Sequence, residues 1–354
     1  MDHKYDYSKG RNSVVRSALA NFSESWSMSN FAPYEISLIA LGCPINDIYS
    51  KLEIFSATKS KEKIKISAVD LLDILNASAE FLNDESVGAK VGNLRAAKDI
   101  GLRYHIAYFS KDLNDALASI WLETSLLIPF VCLRRKRQLS SFFYSIDFDV
   151  SSDKLYYAIE LEIIFVLKLI RSLIDNPHWK PEYISFKHKL SDESREFIGC
   201  LYACPLVDNA EDNGFLIPDA CGNRIMPGAD SLAKSIMKAA GRRLFLESID
   251  QFSFEDQIYY LIVRHFEYFS IIPKSDEIAD YFGVSLATFQ RSLKDNNISY
   301  QELKNKFVHQ SFCVLSKLGY DTSEISRILS YSSSQSLLRN AHIQSLVLPS
   351  DAAT

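Results

Sequence analysis

The sequence predicts an α+β N-terminal domain followed by an all-α C-terminal domain that holds two helix-turn-helix units joined by a linker helix. Three observations carry that reading. Residues 31–250 mix stretches of helical periodicity with short strand-like runs. From Ser231 onward every apolar stretch recurs at helical spacing. The stretch "SDEIADYFGVSLATFQRSLKDNNISYQEL", Ser275–Leu303, is followed about 47 residues later by a looser copy, "TSEISRILSYSSSQSLLRN".

The bulk numbers narrow the function classes. At 354 residues there is chain for two or three domains, and 47% apolar with 23% charged residues suits a globular protein. A net charge of −5 supplies no general attraction to nucleic acid or anionic membrane, so any DNA contact rests on a local patch. Six cysteines lie scattered without CxxC or Cys/His ligand spacing, which predicts reduced thiols in a cytoplasmic protein. The seven histidines show no HxxxH or HxH pattern, so neither a metal nor another cofactor is expected. No GxSxG, GxGxxG or GxxxxGK[ST] motif is present, and the chain does not read as an enzyme. The first fifteen residues lack an apolar signal core. The most apolar helix, residues 154–174, carries Glu160, Glu162, Lys168 and Arg171; it reads as a helix buried in protein and not as a membrane span.

In chain order, residues 1–30 are polar and Ser-rich and read as a flexible tail. Residues 31–250 form the first domain. Helical patterns run through "YEISLIALG" and "AVDLLDILNASAEFL", then "DESVGAKVGN" interrupts them with two glycines. "LNDALASIWLETSLLI" restores helical spacing, with Leu113, Leu117, Ile120 and Trp121 on one face. "IPFVCL" and "SFFYSIDFDV" read as strands joined by a turn through "RRKRQLSS". The run Arg134–Arg137 is first a solvated hairpin turn and second a place for an anionic effector or a partner. After the long apolar helix come a candidate strand "PEYISFKHKL", a candidate helix "SDESREFIGCLY", and a Gly/Pro/Asn/Asp-rich loop region near 208–230. The second domain spans 251–349, and 350–354 is a tail.

Within that second domain, Ser275 can cap a helix whose first turn holds Asp276 and Glu277, with Ile278, Ala279 and Phe282 inward and Gly283 ending it. Ser285 caps the next helix. Leu286, Phe289 and Leu293 point inward there, and Ala287, Gln290, Arg291 and Lys294 share the opposite face, which carries no acid. Small, amide and cationic side chains on one helix face are what a major groove accepts: Gln pairs with adenine, Arg with guanine, Lys with phosphate. Ser299 and Glu302 form a capping box for a linker helix whose face is Leu303, Phe307, Ser311, Val314 and Leu318, ended by Gly319. In the second copy Ile325, Ser326 and Leu329 take the places of Ile278, Ala279 and Phe282; Ser330 takes that of Gly283, and Arg339 that of Arg291. A linker of roughly 30 Å suits two readers in successive major grooves. Against this, residues 251–354 hold nine lysines and arginines and eleven acids.

On these motifs residues 253–349 resemble the DNA-binding domain of AraC/XylS-type transcription regulators. The preceding chain resembles the N-terminal domain of the subgroup with an OruR-like, arabinose-binding domain, through "SVGAKVGN", "LNDALASIWLE" and "PEYISFKHKLSDESREFIGCLYACPLV". The resemblance implies an α+β sensor domain that binds a small-molecule effector or mediates homodimerisation. It implies a DNA-binding domain for double-stranded promoter or operator DNA, with RNA polymerase as a further partner of an activator. By position it assigns Ala287, Gln290 and Arg291 to bases and Ser285, Thr288 and Lys294 to the DNA backbone; the second reader would use Ser334, Gln335 and Arg339. The second copy departs from the family pattern at Ser330, Leu337, Ala341 and His342, and Val308 and Phe312 replace the usual Arg and Ala of the linker helix. The second reader is therefore expected to be less stable and less selective. The alternative is an interaction protein of the same fold, which regulates another transcription factor without specific DNA binding of its own.

Overall fold

The computed structural model describes residues 7–19, 25–54, 65–124, 131–148, 155–249 and 252–339. Two compact units result. One is Glu24–Gly241, and the other joins Met1–Ser23 to Arg242–Thr354. The first helix, α1 (Tyr7–Leu19), thus belongs with the C-terminal half of the chain.

The Glu24–Gly241 unit runs β1 (Ser25–Ser27), α2 (Met28–Ala40), α3 (Ile45–Lys51), β2 (Lys65–Ser67), α4 (Ala68–Leu82), α5 (Val87–Leu94), a 3-10 turn at Ala97–Ile100, α6 (Leu102–Tyr108) and α7 (Leu113–Thr124). Then follow β3 (Val131–Gln138), β4 (Ser141–Phe148), α8 (Tyr156–Leu173), β5 (Ile184–Ser185), α9 (Asp192–Tyr202), β6 (Leu206–Val207), β7 (Gly214–Pro218), α10 (Asp219–Gly222) and α11 (Ser231–Ile249), which crosses the boundary between the units. β1 and β2 pair antiparallel, and the main sheet has the order β3-β4-β7-β5-β6, antiparallel except for β5 with β6.

α8 is the axis of this unit, buried along nearly its whole length as its apolar run demands. Its two buried acids are partnered. Glu162 accepts from Tyr34 Oη at 2.7 Å and from Arg95 Nη1 at 3.2 Å. The Arg95 guanidinium lies 4.0 Å from the Tyr34 ring and 3.7 Å from the Phe165 ring. Glu160 accepts from Ser194 Oγ at 2.7 Å and meets His188 Nε2 at 3.1 Å, while burial pushes its pKa up. No helix among the described residues is long and apolar enough to cross a membrane.

Three local expectations for this unit are corrected. The glycines of "SVGAKVGN" do not interrupt helix; they lie inside α5. A Cβ at Gly88 would stand 2.1 Å from Tyr157 O, and one at Gly92 would stand 2.3 Å from Leu161 O, so the two glycines let α5 press backbone to backbone on α8. The basic run Arg134–Arg137 is not a turn. It lies within β3, paired along its length with β4, and the turn is Leu139–Ser140, where Leu139 has φ 50° and is 97% exposed. The run near 208–230 contains β7, which sits between β4 and β5, because the short apolar segment "FLIP" fits the sheet interior.

The second unit continues with α12 (Phe254–Phe269), α13 (Ser275–Phe282), α14 (Leu286–Asp295), α15 (Tyr300–Lys317), α16 (Thr322–Ile328) and α17 (Ser334–Leu338). The flexible tail expected over residues 1–30 is corrected over 7–19: α1 packs on α12, α15 and α16. Polar composition hid a narrow apolar face, Val14, Val15 and Ala18, all buried. Gly10 permits the contact, since a Cβ there would lie 2.9 Å from Leu315 Cδ2 and 3.1 Å from Ile328 Cδ1. Arg11 Nη1 donates to Ser270 Oγ at 2.8 Å. Including α1 changes the charge balance. The whole unit carries fifteen lysines and arginines against fifteen acids, whereas residues 251–354 alone are acidic.

The α1 contact predicts that Gly10→Leu, which overpacks the Leu315–Ile328 surface, costs about 1–3 kcal/mol in chemical denaturation of this unit. An unchanged unfolding midpoint would show that α1 does not dock there.

Candidate nucleic-acid interface

The exposed face of α14 is built from its buried side. Ser285 caps the helix, its Oγ accepting from Thr288 N–H at 3.1 Å and lying 2.9 Å from Thr288 Oγ1. Phe289 and Leu293 are buried, and Phe289 is held by rings from three other places in the unit. Phe282 of α13 stacks on it with centroids 5.7 Å apart, Phe254 of α12 meets it edge-on at 6.3 Å, and Tyr300 of α15 at 6.4 Å. Tyr300 Oη in turn donates to Pro273 O at 2.7 Å, fixing the segment before α13. The turn between α13 and α14 is made by Gly283 at φ 69°, the left-handed conformation glycine adopts without penalty.

With that side pinned, Ser285, Ala287, Thr288, Gln290, Arg291 and Lys294 are all exposed. Gln290, Arg291 and Lys294 make no ion pair or side-chain hydrogen bond with the described residues. A donor-and-acceptor amide and two cations thus stand in solvent on one side of a single helix. Two details differ from expectation. Leu286 is 39% exposed instead of buried, because it sits in the first turn, ahead of the aromatic cluster. The cap residue of α13 is Lys274 and not Ser275; the Glu277 carboxylate accepts from Lys274 N–H at 2.7 Å, and no hydroxyl caps the helix.

α16 and α17 repeat the arrangement with less material. Ile325, Ser326 and Leu329 are buried, as are Ile278 and Ala279 in the first pair. Ser330 occupies the place of Gly283 and takes the same left-handed conformation at φ 58°, which costs a serine what glycine avoids. Its Oγ donates to Ser270 O at 2.5 Å, an anchor that offsets part of that cost. Ser333 caps α17, accepting from Ser336 N–H at 3.2 Å. Gln335 and Arg339 are exposed, Ser334 is half-buried, and Leu337 is fully buried where a larger ring is usual. Ala341 and His342 lie outside the described residues. α15, eighteen residues or roughly 27 Å long, separates the two pairs, and Val308 and Phe312 are buried on it. The broader buried face of α15 follows from α1, which sequence spacing around the motif could not disclose.

A suppressed base lies on α12, beside the first pair. His265 of α12 contacts Tyr281 Oη through Nδ1 at 3.2 Å, and burial pushes its pKa down to about 4 against the opposing pull of Glu277. No group of three or more His, Cys, Asp or Glu among the described residues is placed to hold a metal ion, and the five described cysteine side chains are free thiols.

Residues 42–225, just over half of the chain, match the model of the arabinose-binding domain of AraC transcription regulators, an N-terminal domain. The chain belongs to the AraC family of transcription regulators. The matched segment takes in α5, α8 and the whole main sheet, and with them the glycines and buried acids that fix the Glu24–Gly241 unit. Among solved structures, the transcriptional regulator CdpR from Pseudomonas aeruginosa is similar over 86% of this chain and 94% of its own, with 14% identity and a TM-score of 0.43. That score is too low for the likeness to bear on function. No curated protein matches the chain.

Because folded His265 resists protonation until about pH 4 while an unfolded histidine titrates near 6.5, its contribution is complete above about pH 6.5 and drains as pH falls toward 4. Between pH 7 and 5 the native chain should therefore lose about 1–2 kcal/mol more stability than the His265→Gln variant, read from denaturant midpoints. Parallel losses in the two proteins would refute a neutral, buried imidazole.

Proposed function

We propose that this AraC-type regulator binds operator DNA in a sequence-specific way through two helix-turn-helix units, α13–α14 and α16–α17, and that the Glu24–Gly241 unit sets their activity by binding a small molecule or by pairing with a second copy. The observation that carries the proposal is the α14 surface. Its inner side is locked by Phe254, Phe282, Phe289 and Tyr300, and its outer side offers Gln290, Arg291 and Lys294 without competing partners among the described residues. Rigid donors on a helix face can enter a major groove at little entropic cost. In this reading Ala287, Gln290 and Arg291 meet base edges, and Ser285, Thr288 and Lys294 face phosphates. Gln335 and Arg339 of α17 add a weaker second set beside Ser334. A domain equilibrium biased by ligand would change the fraction of molecules able to place both readers at once. An activator would carry that change to RNA polymerase.

The unit is neutral once α1 is counted, so its DNA affinity depends on how charge is sorted by face. The same neutrality keeps a second reading in play, in which the fold regulates another transcription factor through protein contacts.

Genome-wide mapping of bound DNA supplies an operator on which the two readings separate. On that operator Arg291→Ala should cost about 1–3 kcal/mol and relax selectivity at one position, and Arg339→Ala should cost less. Affinity should also fall steeply with added salt. Unchanged affinity in Arg291→Ala, or a flat salt profile, favours the protein-contact reading.

A further inference from the structure

Three arginines are buried to a few per cent exposure among the described residues, and two have an obvious reason. Arg95 is paired with Glu162 and lies between two rings, and Arg264 donates to Glu267 at 2.7 Å. Arg134 on β3 is 4% exposed and, among the described residues, has no acid partner and no hydrogen-bond acceptor for its Nε and Nη2. Its neighbours in the basic run are accounted for. Arg135 lies over the Phe142 ring at 4.6 Å, Lys136 reaches Asp212 at 2.6 Å, and Arg137 is bound to Asp219.

The two orphan nitrogens are not an arbitrary pair. Nε–H and Nη2–H lie in the guanidinium plane, point the same way within it and form the fork that grips a planar carboxylate with two parallel hydrogen bonds. Directly across the strand pair from Arg134 stands Ser145, also buried, whose Oγ likewise has no partner. Opposed residues of an antiparallel pair share one face with Cβ atoms about 5 Å apart. Three unsatisfied donors therefore belong to directly opposed residues on one face of the sheet. Two described acids close to this strand pair are occupied. Asp147 accepts from Lys187 at 2.6 Å and from Phe148 N–H, and Asp212 is held by Lys136. A lone buried guanidinium is costly unless an anion completes it. Beside it Phe143, on the same face of β4, is buried and stacked on Tyr183, an apolar flank for the body of a ligand.

We propose that Arg134 and Ser145 form a subsite for the carboxylate of a small organic acid. The assignment rests on the proposed effector-sensing role of this unit and names the chemistry the effector must carry.

The test uses the full chain and no DNA, so it can fail or succeed independently of operator binding. Thermal unfolding is followed for the native chain, Arg134→Met and Ser145→Ala, each alone and with millimolar acetate, benzoate, phenylacetate, or uncharged benzamide. The carboxylates, the aromatic ones above all, should raise the native midpoint, and benzamide should not. Arg134→Met should unfold at or above the native midpoint without ligand and lose the response. Ser145→Ala should keep it with a Kd several-fold higher. The proposal is overturned if no carboxylate shifts the native midpoint, if benzamide matches benzoate, if Arg134→Met responds like the native chain, or if ligand-free Arg134→Met unfolds several degrees lower.

Discussion

The ring of Phe289 is the constraint on which the regulator's candidate DNA surface depends. It is buried by Phe282, Phe254 and Tyr300, which come from the helices before and after α14. Aromatic burial of this kind is non-directional as a driving force but specific in geometry, because edge-to-face and offset contacts restrict how far the helix can roll. A helix that cannot roll presents a fixed outer face. At helical spacing, burying positions 289 and 293 leaves 287, 290, 291 and 294 outward, and these residues are exposed. The chemistry of the face is thus a consequence of packing on the opposite side.

The Glu24–Gly241 unit follows a different rule, in which polar groups are buried and then satisfied. Glu162 with Arg95 and Tyr34, and Glu160 with Ser194 and His188, pin the central helix to its surroundings through directional bonds. Paired burial of this sort adds little net stability but penalises alternative packings, since each group left alone costs several kcal/mol. Arg134 departs from this pattern: unlike Arg95, which keeps Glu162, it is buried without an acid among the described residues, and that marks a place where something outside the chain has a part to play.

Much of this was legible in the sequence. The cap at Ser285, the left-handed turn at Gly283 and the inward positions 278, 279, 289 and 293 could be read because local chemistry alone decides them. So could α4, α8 and α9, whose periodicity is long and unbroken. What escaped depended on distant partners. Gly88 and Gly92 read as breakers, because only the approach of α8 gives them a purpose. Charge alone reads the basic run as a turn, whereas pairing with β4, helped by ion partners for Lys136 and Arg137, carries it into the sheet. α1 was hidden by its polar composition, since three small apolar residues suffice when the receiving surface on α15 and α16 is already apolar. The exposed residues of α14 were foreseen by position; nothing in the chain states which bases they would meet.

Selection from a pool of random DNA duplexes, run in parallel with the full chain and its Gln290→Ala variant, tests the central claim most directly. The account predicts that the full chain enriches a defined motif and that the variant loses preference at one adenine-containing position while keeping the remainder. Enrichment of no motif by the native chain, or of an identical motif by both proteins, would contradict it.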